Sequence, residues 1–248
     1  MNPLDVYKKL PRSNCGRCAA GTCMSFAVQF LRRMVSSSEC PELDEQSEKE
    51  IDAMLSDTGD WKEKRLIELF KEVSRINFCD VAKNIGATGE EDVLKIRYMG
   101  KEVTLRHTGF EDEMDIRDRL LILMYIKQAG KSRLSGKWVA FRDLKDGLLR
   151  AESFHGACEI SLAKMFEHSK GGFLRRLSAM GAEEVEGFPA EHSFVIYPLP
   201  KIPFLVLLRS GDEDFGADCK VLLDSTAAEF LDVEALLYLG MAFVRAMK

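Results

Sequence analysis

The sequence predicts an α+β fold, in which a small helical segment precedes a larger domain with a mainly antiparallel sheet and several helices. Three observations support this prediction. Short alternating apolar runs follow one another closely along the chain, longer runs at helical spacing stand among them, and few β-α-β alternations occur. Strands that are neighbours in sequence are therefore expected to form antiparallel pairs.

The first predicted helix spans residues 24–34, where apolar residues recur at helical spacing directly after Cys23. A serine run at 36–38 ends it, and Pro41 prevents further helical continuation. A short acidic helix is expected around Ile51, closed by a turn at 57–60.

The larger domain contains further helices and paired strands. The segment 86–91 is expected to end a helix, the glycines at 171–172 to separate two helices, the segment 99–102 to form a hairpin turn, and Asp232 to cap the last helix. The predicted helices cover 61–81, 116–128, 153–168, 173–180 and the stretch from Val233 onward. The predicted strands cover 93–98, 103–107, 138–141, 194–197, 204–208 and 221–223.

These elements divide the chain into three predicted parts. Residues 1–43 form a cluster-binding domain rich in cysteine, residues 44–60 form an acidic linker, and residues 61–248 form the α+β domain. The net charge of −5 argues against a protein that binds nucleic acid by neutralising phosphates. The sequence contains no apolar run of the roughly 20 residues that a membrane span needs, and no signal-like start, so we expect a cytoplasmic protein.

Four cysteines, Cys15, Cys18, Cys23 and Cys40, form a C-x2-C-x4-C-x16-C array. Three thiolates on one turn and a fourth carried in by a helix can hold an iron-sulfur cube. Gly16 and Gly21 let the loop wind closely, so that backbone N–H groups can point at the sulfurs. A helix beginning at Cys23 adds the positive end of its dipole.

A structural zinc site is the main alternative, and disulfides are a second one. Zinc favours paired C-x2-C knuckles or mixtures of cysteine and histidine, and this segment has neither a second knuckle nor a nearby histidine. The other cysteines, Cys79, Cys158 and Cys219, are scattered among apolar neighbours and are expected to be small buried hydrophobes.

The array and its flanking residues resemble the iron-sulfur domain of the corrinoid iron-sulfur protein large subunit and of the Rnf complex B subunit. The matching residues are Leu10-Pro11, Asn14-Cys15-Gly16, Cys18, Thr22-Cys23-Met24, Phe26-Ala27 and Cys40-Pro41. The resemblance implies a [4Fe-4S] cluster ligated by the four cysteines, with a role in moving electrons. Where that family has a pattern closer to Gly-Glu-Cys-Gly, this chain has Gly16-Arg17-Cys18-Ala19.

The larger domain resembles an uncharacterised family that is found fused to this cluster domain in anaerobic microbes. The match lies in Trp138–Leu144, Pro200–Pro203, Asp212–Phe215 and the stretch from Leu222 to Glu234. It brings no activity with it. The sequence also lacks the G-x-S-x-G, H-E-x-x-H and G-x-G-x-x-G motifs, so it offers no catalytic set.

The sequence thus favours an electron carrier or accessory protein over an enzyme. Its expected partner is another redox protein, and the resemblance points to a corrinoid protein or a cobalamin-dependent methyltransferase. A second hypothesis is a structural or sensing cluster that organises a non-enzymatic interaction domain. A third is an enzyme whose larger domain binds a small molecule beside the cluster.

Overall fold

The structure is a computed structural model that describes residues 2–18, 20–31, 35–212 and 214–248, without the side chains of 55–60. The chain forms two compact units, Met1–Arg65 and Leu66–Lys248. The predicted borders at 43/44 and 60/61 stay predictions.

The predicted α+β class is confirmed. The α-helices in the described part of the chain are α1 (Pro3–Lys9), α2 (Cys23–Leu31), α3 (Glu45–Val73), α4 (Phe78–Ile85), α5 (Ile116–Gln128), α6 (Ala151–Phe154), α7 (Ile160–His168), α8 (Lys170–Ala179) and α9 (Val233–Ala246). The strands there are β1 (Thr88–Gly89), β2 (Val93–Tyr98), β3 (Lys101–Arg106), β4 (Gly109–Phe110), β5 (Trp138–Ala140), β6 (Glu183–Glu184), β7 (His192–Leu199), β8 (Ile202–Arg209) and β9 (Asp218–Asp224). None of the described helices combines the length and the apolarity that crossing a membrane requires.

The first unit packs α1 and α2 around a small core. Its buried residues are Val6, Leu10, Cys23, Phe26, Ala27, Phe30, Cys40 and Ile51. The rings of Phe26 and Phe30 stack along one face of α2, with centroids 6.2 Å apart. The start of α2 at Cys23 confirms the prediction, whereas residues 32–34 of the predicted helix lie outside the described part. Helix α1 was not predicted, although Asn2 followed by Pro3 is a helix-start signal.

The turn predicted at residues 57–60 is wrong, because α3 is continuous from Glu45 to Val73. The segment Asp57-Thr-Gly-Asp60 contains no proline, and one glycine inside a helix costs only about 1 kcal/mol. Helix α3 therefore contributes residues to both compact units.

Two further helix boundaries differ from the prediction. The helix expected over 61–81 is split, because the side chain of Asn77 accepts hydrogen bonds from the backbone N–H groups of Cys79 and Asp80 and starts α4. The glycine pair at 171–172 lies inside α8, and the chain breaks at Ser169 instead. Gly86 ends α4 in the left-handed conformation, in the glycine-rich stretch where the sequence predicts a break.

The second unit contains two antiparallel sheets. The first has the order β1-β2-β3-β4, and its central hairpin turns through Met99 and Gly100, both with positive φ. Left-handed φ angles at both central positions define the tight turn that matches the twist of paired strands. The predicted hairpin is therefore confirmed, with a two-residue turn.

The second sheet has the order β5-β9-β8-β7-β6, and its neighbouring strands are antiparallel. Strand β8 is buried along most of its length. The ring of Phe204 in β8 contacts that of Phe243 in α9 edge-on, with centroids 5.7 Å apart. The side chain of Asp232 accepts a hydrogen bond from the N–H of Ala235, which confirms the predicted cap of this last helix.

Asp224 is a buried carboxylate at the end of β9, with 2% of its surface exposed. Its Oδ1 accepts hydrogen bonds from the N–H and Oγ of Ser135 and from the N–H and Oγ1 of Thr226. Its Oδ2 accepts a bond from the N–H of Gly136 at 2.8 Å. Burial alone would raise the pKa of Asp224, but the bonds from Thr226 and Ser135 outweigh it and the pKa is lowered. Asp224 thus ties the loop before β5 to the end of β9.

Candidate metal centre

The four cysteines of the array line one small cavity in the first unit. Cys23 and Cys40 are buried, Cys18 is half-buried and Cys15 is exposed. The structure therefore brings together residues that are up to 25 positions apart in the chain. Their ligation of a cluster stays a prediction.

The loop around Cys15 depends on glycine. Gly16 and Gly21 have φ angles of 69° and 73°, a region that residues with a Cβ rarely adopt. The turn at Gly16 directs the N–H of Arg17 at the sulfur of Cys15, and this hydrogen bond is the main reason that the pKa of the Cys15 thiol is lowered. The side chain of Arg17 is the next cause. Both contacts stabilise the thiolate, which is the form that binds metals.

Cys23 occupies the first turn of α2. Its N–H donates to Oδ1 of Asn14 at 2.9 Å, and Oγ1 of Thr22 accepts the N–H of Ser25 at 3.1 Å. These two bonds satisfy N–H groups that a helix start otherwise leaves unpaired. Asn14 itself has a φ of 48°, in the left-handed region that asparagine tolerates better than most residues. The positive end of the helix dipole therefore faces the cavity at Cys23.

Cys40 is the last cysteine of the array and is buried. Burial raises the pKa of its thiol, the negative charges of Cys18, Cys23 and Cys15 raise it further, and the N–H of Glu42 acts in the other direction. The sulfurs are thus close enough to repel one another once ionised. Four neighbouring thiolates are stable together only when cations lie between them.

An ion pair links the two ends of the array. Arg17 donates to one carboxylate oxygen of Glu42, and the hydroxyl of Ser13 donates to the other. The bonds from Ser13 and Arg17 lower the pKa of Glu42. Arg17 therefore contacts both Cys15 and the residue that follows Cys40 by two positions. The sequence marked Arg17 only as a departure from the related family, and its pairing with Glu42 has no local signal.

The donors around the cavity are cysteine sulfurs and backbone N–H groups. In the described ranges, no three Cys, His, Asp or Glu side chains lie close enough to share one metal ion. A tetrahedral zinc site needs sulfurs about 3.8 Å apart, since each Zn–S bond is about 2.3 Å long. The four cysteines share one cavity that the buried ring of Phe26 also lines, and the sulfurs of Cys15 and Cys40 accept backbone N–H donors. This donor set fits an iron-sulfur cluster.

The remaining cysteines lie in the second unit, and two of them behave as the sequence predicts. Cys158 and Cys219 are buried, and burial raises the pKa of both thiols. The prediction for Cys79 is wrong, because this residue is exposed in the first turn of α4. The side of α4 that packs into the core carries Phe78, Val81 and Ile85, so position 79 points away from it.

Two sequence families match the chain. Residues 77–246 match the family described as "Domain of unknown function (DUF3786)", which covers more than half of the chain. Residues 10–42 match the family described as "Putative Fe-S cluster". The iron-sulfur match contains all four cysteines of the array.

The curated relatives include gamma subunits of the acetyl-CoA decarbonylase/synthase complex. The subunit of Archaeoglobus fulgidus is 37% identical over 106 residues, that of Methanosarcina acetivorans 38% over 106, and gamma 2 of Methanosarcina thermophila 32% over 133. These matches cover 43%, 43% and 53% of this chain but only 19%, 18% and 26% of the subunits. This chain thus corresponds to about a quarter or less of each relative's length. No solved structure matches the chain.

Proposed function

Because the chain belongs to the family described as a domain of unknown function (DUF3786), whose description supplies no activity, we propose its function from the cysteine site. We infer that the protein is a one-electron carrier. Cys15, Cys18, Cys23 and Cys40 would hold a [4Fe-4S] cluster, and residues 1–43 would form the domain that binds it. The observation that carries this proposal is the common cavity of the four cysteines, inside the segment that matches an iron-sulfur family.

When bound, the cluster supplies a site that gains and loses one electron. The chain's own groups set how readily it does so. The N–H groups of Arg17 and Glu42 donate to the sulfurs of Cys15 and Cys40, and the start of α2 places a positive dipole end at Cys23. Each of these groups favours the more negative, reduced state.

Burial is uneven across the four ligands, and it indicates where a partner would approach. Cys23 and Cys40 are each 8% exposed, whereas Cys15 lies at the surface. Electron transfer falls off steeply with distance, so the Cys15 side offers the shortest path to another protein. Arg17, with 59% of its side chain exposed, lies on the same side, with its charge paired to Glu42.

The identity of the partner is proposed from similarity. The relatives are named as subunits of the acetyl-CoA decarbonylase/synthase complex, which supports a role beside a protein partner in anaerobic metabolism. The resemblance of the small domain favours a corrinoid protein or a methyltransferase. Ligation by cysteine thiolates also favours the cytoplasm, where the redox potential keeps thiols reduced. On this proposal the protein is an accessory rather than an enzyme.

A redox titration of the full chain, purified without oxygen, tests the proposed function. We expect an EPR signal that appears reversibly on reduction and follows a one-electron curve, with about 59 mV for each tenfold change in ratio. The reduced protein should pass its electron to the dye methyl viologen or to a higher-potential dye, and should survive repeated cycles. Release of iron during the first cycle would instead support a structural or sensing cluster.

A further inference from the structure

The second unit contains a groove of about 780 Å³ that the cysteine site does not use. The hairpin turn at Met99 and Gly100 forms one side, and the last turns of α8 and α9 form the other. Residues 112–114 border it near the start of α5. This volume lies in the range of small-molecule sites, which is roughly 300–1,000 Å³.

A partly buried hydrogen-bond network lines the groove. The hydroxyl of Tyr98 donates to Oδ1 of Asp118 at 2.7 Å, and the guanidinium of Arg245 donates to the same oxygen at 2.7 Å. Burial, followed by the charge of Asp118, raises the pKa of Tyr98 far above its ordinary value. Tyr98 therefore stays a neutral donor, and the charge of Asp118 is neutralised by Arg245.

Three carboxylates of the groove lining already contact other groups of the protein. Asp112 accepts the N–H of Thr104 at 2.7 Å, and Glu102 pairs with Lys95 at 3.6 Å. Together with Asp118 these residues account for three of the four lining carboxylates, and Glu113 is the fourth.

Two of the cationic side chains that line the groove have no ion-pair partner within the described chain. The Nε–H of Arg176 donates to the carbonyl oxygen of Ala246 at 3.0 Å. Within the described chain, no carboxylate lies at ion-pair distance from Arg176. Lys101, on the hairpin side of the groove, likewise has no carboxylate at ion-pair distance within the described chain. One terminal nitrogen of Arg245 donates to Asp118, and the other N–H donors of this guanidinium are available to a ligand. The lining contains four carboxylates and three cationic side chains, so the arginine forks, rather than net charge, would recognise an anion.

The two arginines share one wall of the groove. The bond from Arg176 to the carbonyl of Ala246 brings it beside the residue that directly follows Arg245. The neighbouring lining residues on these helices include Ala179 and Ala242, whose side chains are small. A pair of arginine forks held in place by hydrogen bonds suits the planar or tetrahedral oxygens of a carboxylate or phosphate.

The hairpin wall carries an apolar side chain, that of Met99, on a backbone that is fixed in position. Met99 is 9% exposed and has a φ of 49°, and its N–H donates to the carbonyl of Pro198 at 3.0 Å. A Cβ on Gly100 would lie 2.5 Å from the carbonyl oxygen of Met180, so this turn tolerates only glycine. Met114, near the start of α5, and Met180, at the end of α8, add further apolar lining, and methionine adapts its shape to different ligands.

We propose that this groove binds a small molecule with a carboxylate or phosphate group on a partly apolar body, gripped by Arg176 and Arg245. The site belongs to the DUF3786 part of the chain and does not depend on the cluster. It gives the larger domain a binding role of its own.

Titrations of the full chain with inorganic phosphate and with succinate, at constant ionic strength and followed by NMR of the backbone amides, test the proposal. We expect saturable shifts at the groove with at least one probe, and the stronger probe identifies the preferred anion. Arg176→Gln should weaken that binding about tenfold or more, because it removes one of the two arginine forks, and the exposure of Arg176 makes the substitution compatible with folding. Arg245→Lys, which keeps the charge but loses the fork, should weaken it as well.

Arg175→Gln is the matched control, since Arg175 is the exposed neighbour of Arg176 on α8 but does not line the groove. It should leave the affinity unchanged. Absence of saturable shifts with both probes would overturn the proposal. Equal weakening by the two glutamine variants would also overturn it, because the effect would then be one of net charge alone.

Discussion

Replacing Cys23 with serine is expected to lower the iron content of anaerobically purified protein by about tenfold or more, with loss of its visible colour. Cys23 combines burial, a position at the start of α2 and an N–H anchored on Asn14. A serine hydroxyl keeps its proton at neutral pH and is a poor ligand for iron. The remaining three cysteines then leave one corner of a cubane cluster open to water.

Cys79→Ser provides the control for this variant. Cys79 is exposed on α4, outside the array, so its replacement should leave iron and colour unchanged. Iron and acid-labile sulfide are measured for each chain, and circular dichroism checks that both variants stay folded. Full iron content in Cys23→Ser would contradict the assignment of this residue as a ligand.

Asp224→Ala is expected to give the largest loss of stability in the second unit, about 3 kcal/mol or more. The substitution removes the acceptor for three backbone N–H groups, those of Ser135, Gly136 and Thr226. Asp224→Asn should be milder, because an amide oxygen can keep the bonds to Oδ1 and lose mainly that from Gly136. Asp218→Ala, at the exposed start of the same strand, should change stability little.

Urea unfolding followed by tryptophan fluorescence measures this effect directly, because Trp138 pairs with Asp224 across β5 and β9. The other tryptophan, Trp61, has 55% of its surface exposed, so Trp61→Phe leaves Trp138 as a single reporter. Equal midpoints for Asp224→Ala and Asp218→Ala would contradict the structural role of Asp224.

The pH dependence of the same variants has a definite sign. The pKa of Asp224 is lowered in the folded protein, so its ionised form stabilises the fold above the unfolded value of about 3.9. This contribution is lost as the pH falls through the folded pKa. The difference in unfolding free energy between wild type and Asp224→Asn should therefore be full at pH 7 and shrink below about pH 4.

Local signals predict most of the secondary structure. The bounds of α5, the hairpin of β2 and β3 and the cap at Asp232 agree with the sequence because each depends on residues close in the chain. The errors occur where glycine or turn residues do not interrupt a helix, as at residues 57–60 and 171–172. There the cost of an unfavourable residue is small compared with that of breaking the helix.

The candidate sites also combine features that are local in the sequence with features that depend on the fold. The cysteine array is visible in the sequence because its spacing and its glycines are local. The bond from Asn14 to Cys23 and the ion pair between Arg17 and Glu42 depend on how the loop folds back. The arginine groove joins residues near positions 100, 176 and 245, and no pattern along the chain brings these together.

The central claim is that the four cysteines together hold a cluster of iron and sulfide. Its most direct test is to count iron, sulfide and zinc in the wild-type chain purified without oxygen, and to record the EPR spectrum after reduction. The account predicts roughly four iron and four sulfide per chain, with a paramagnetic signal in the reduced protein. A colourless protein that contains zinc and no sulfide would contradict it.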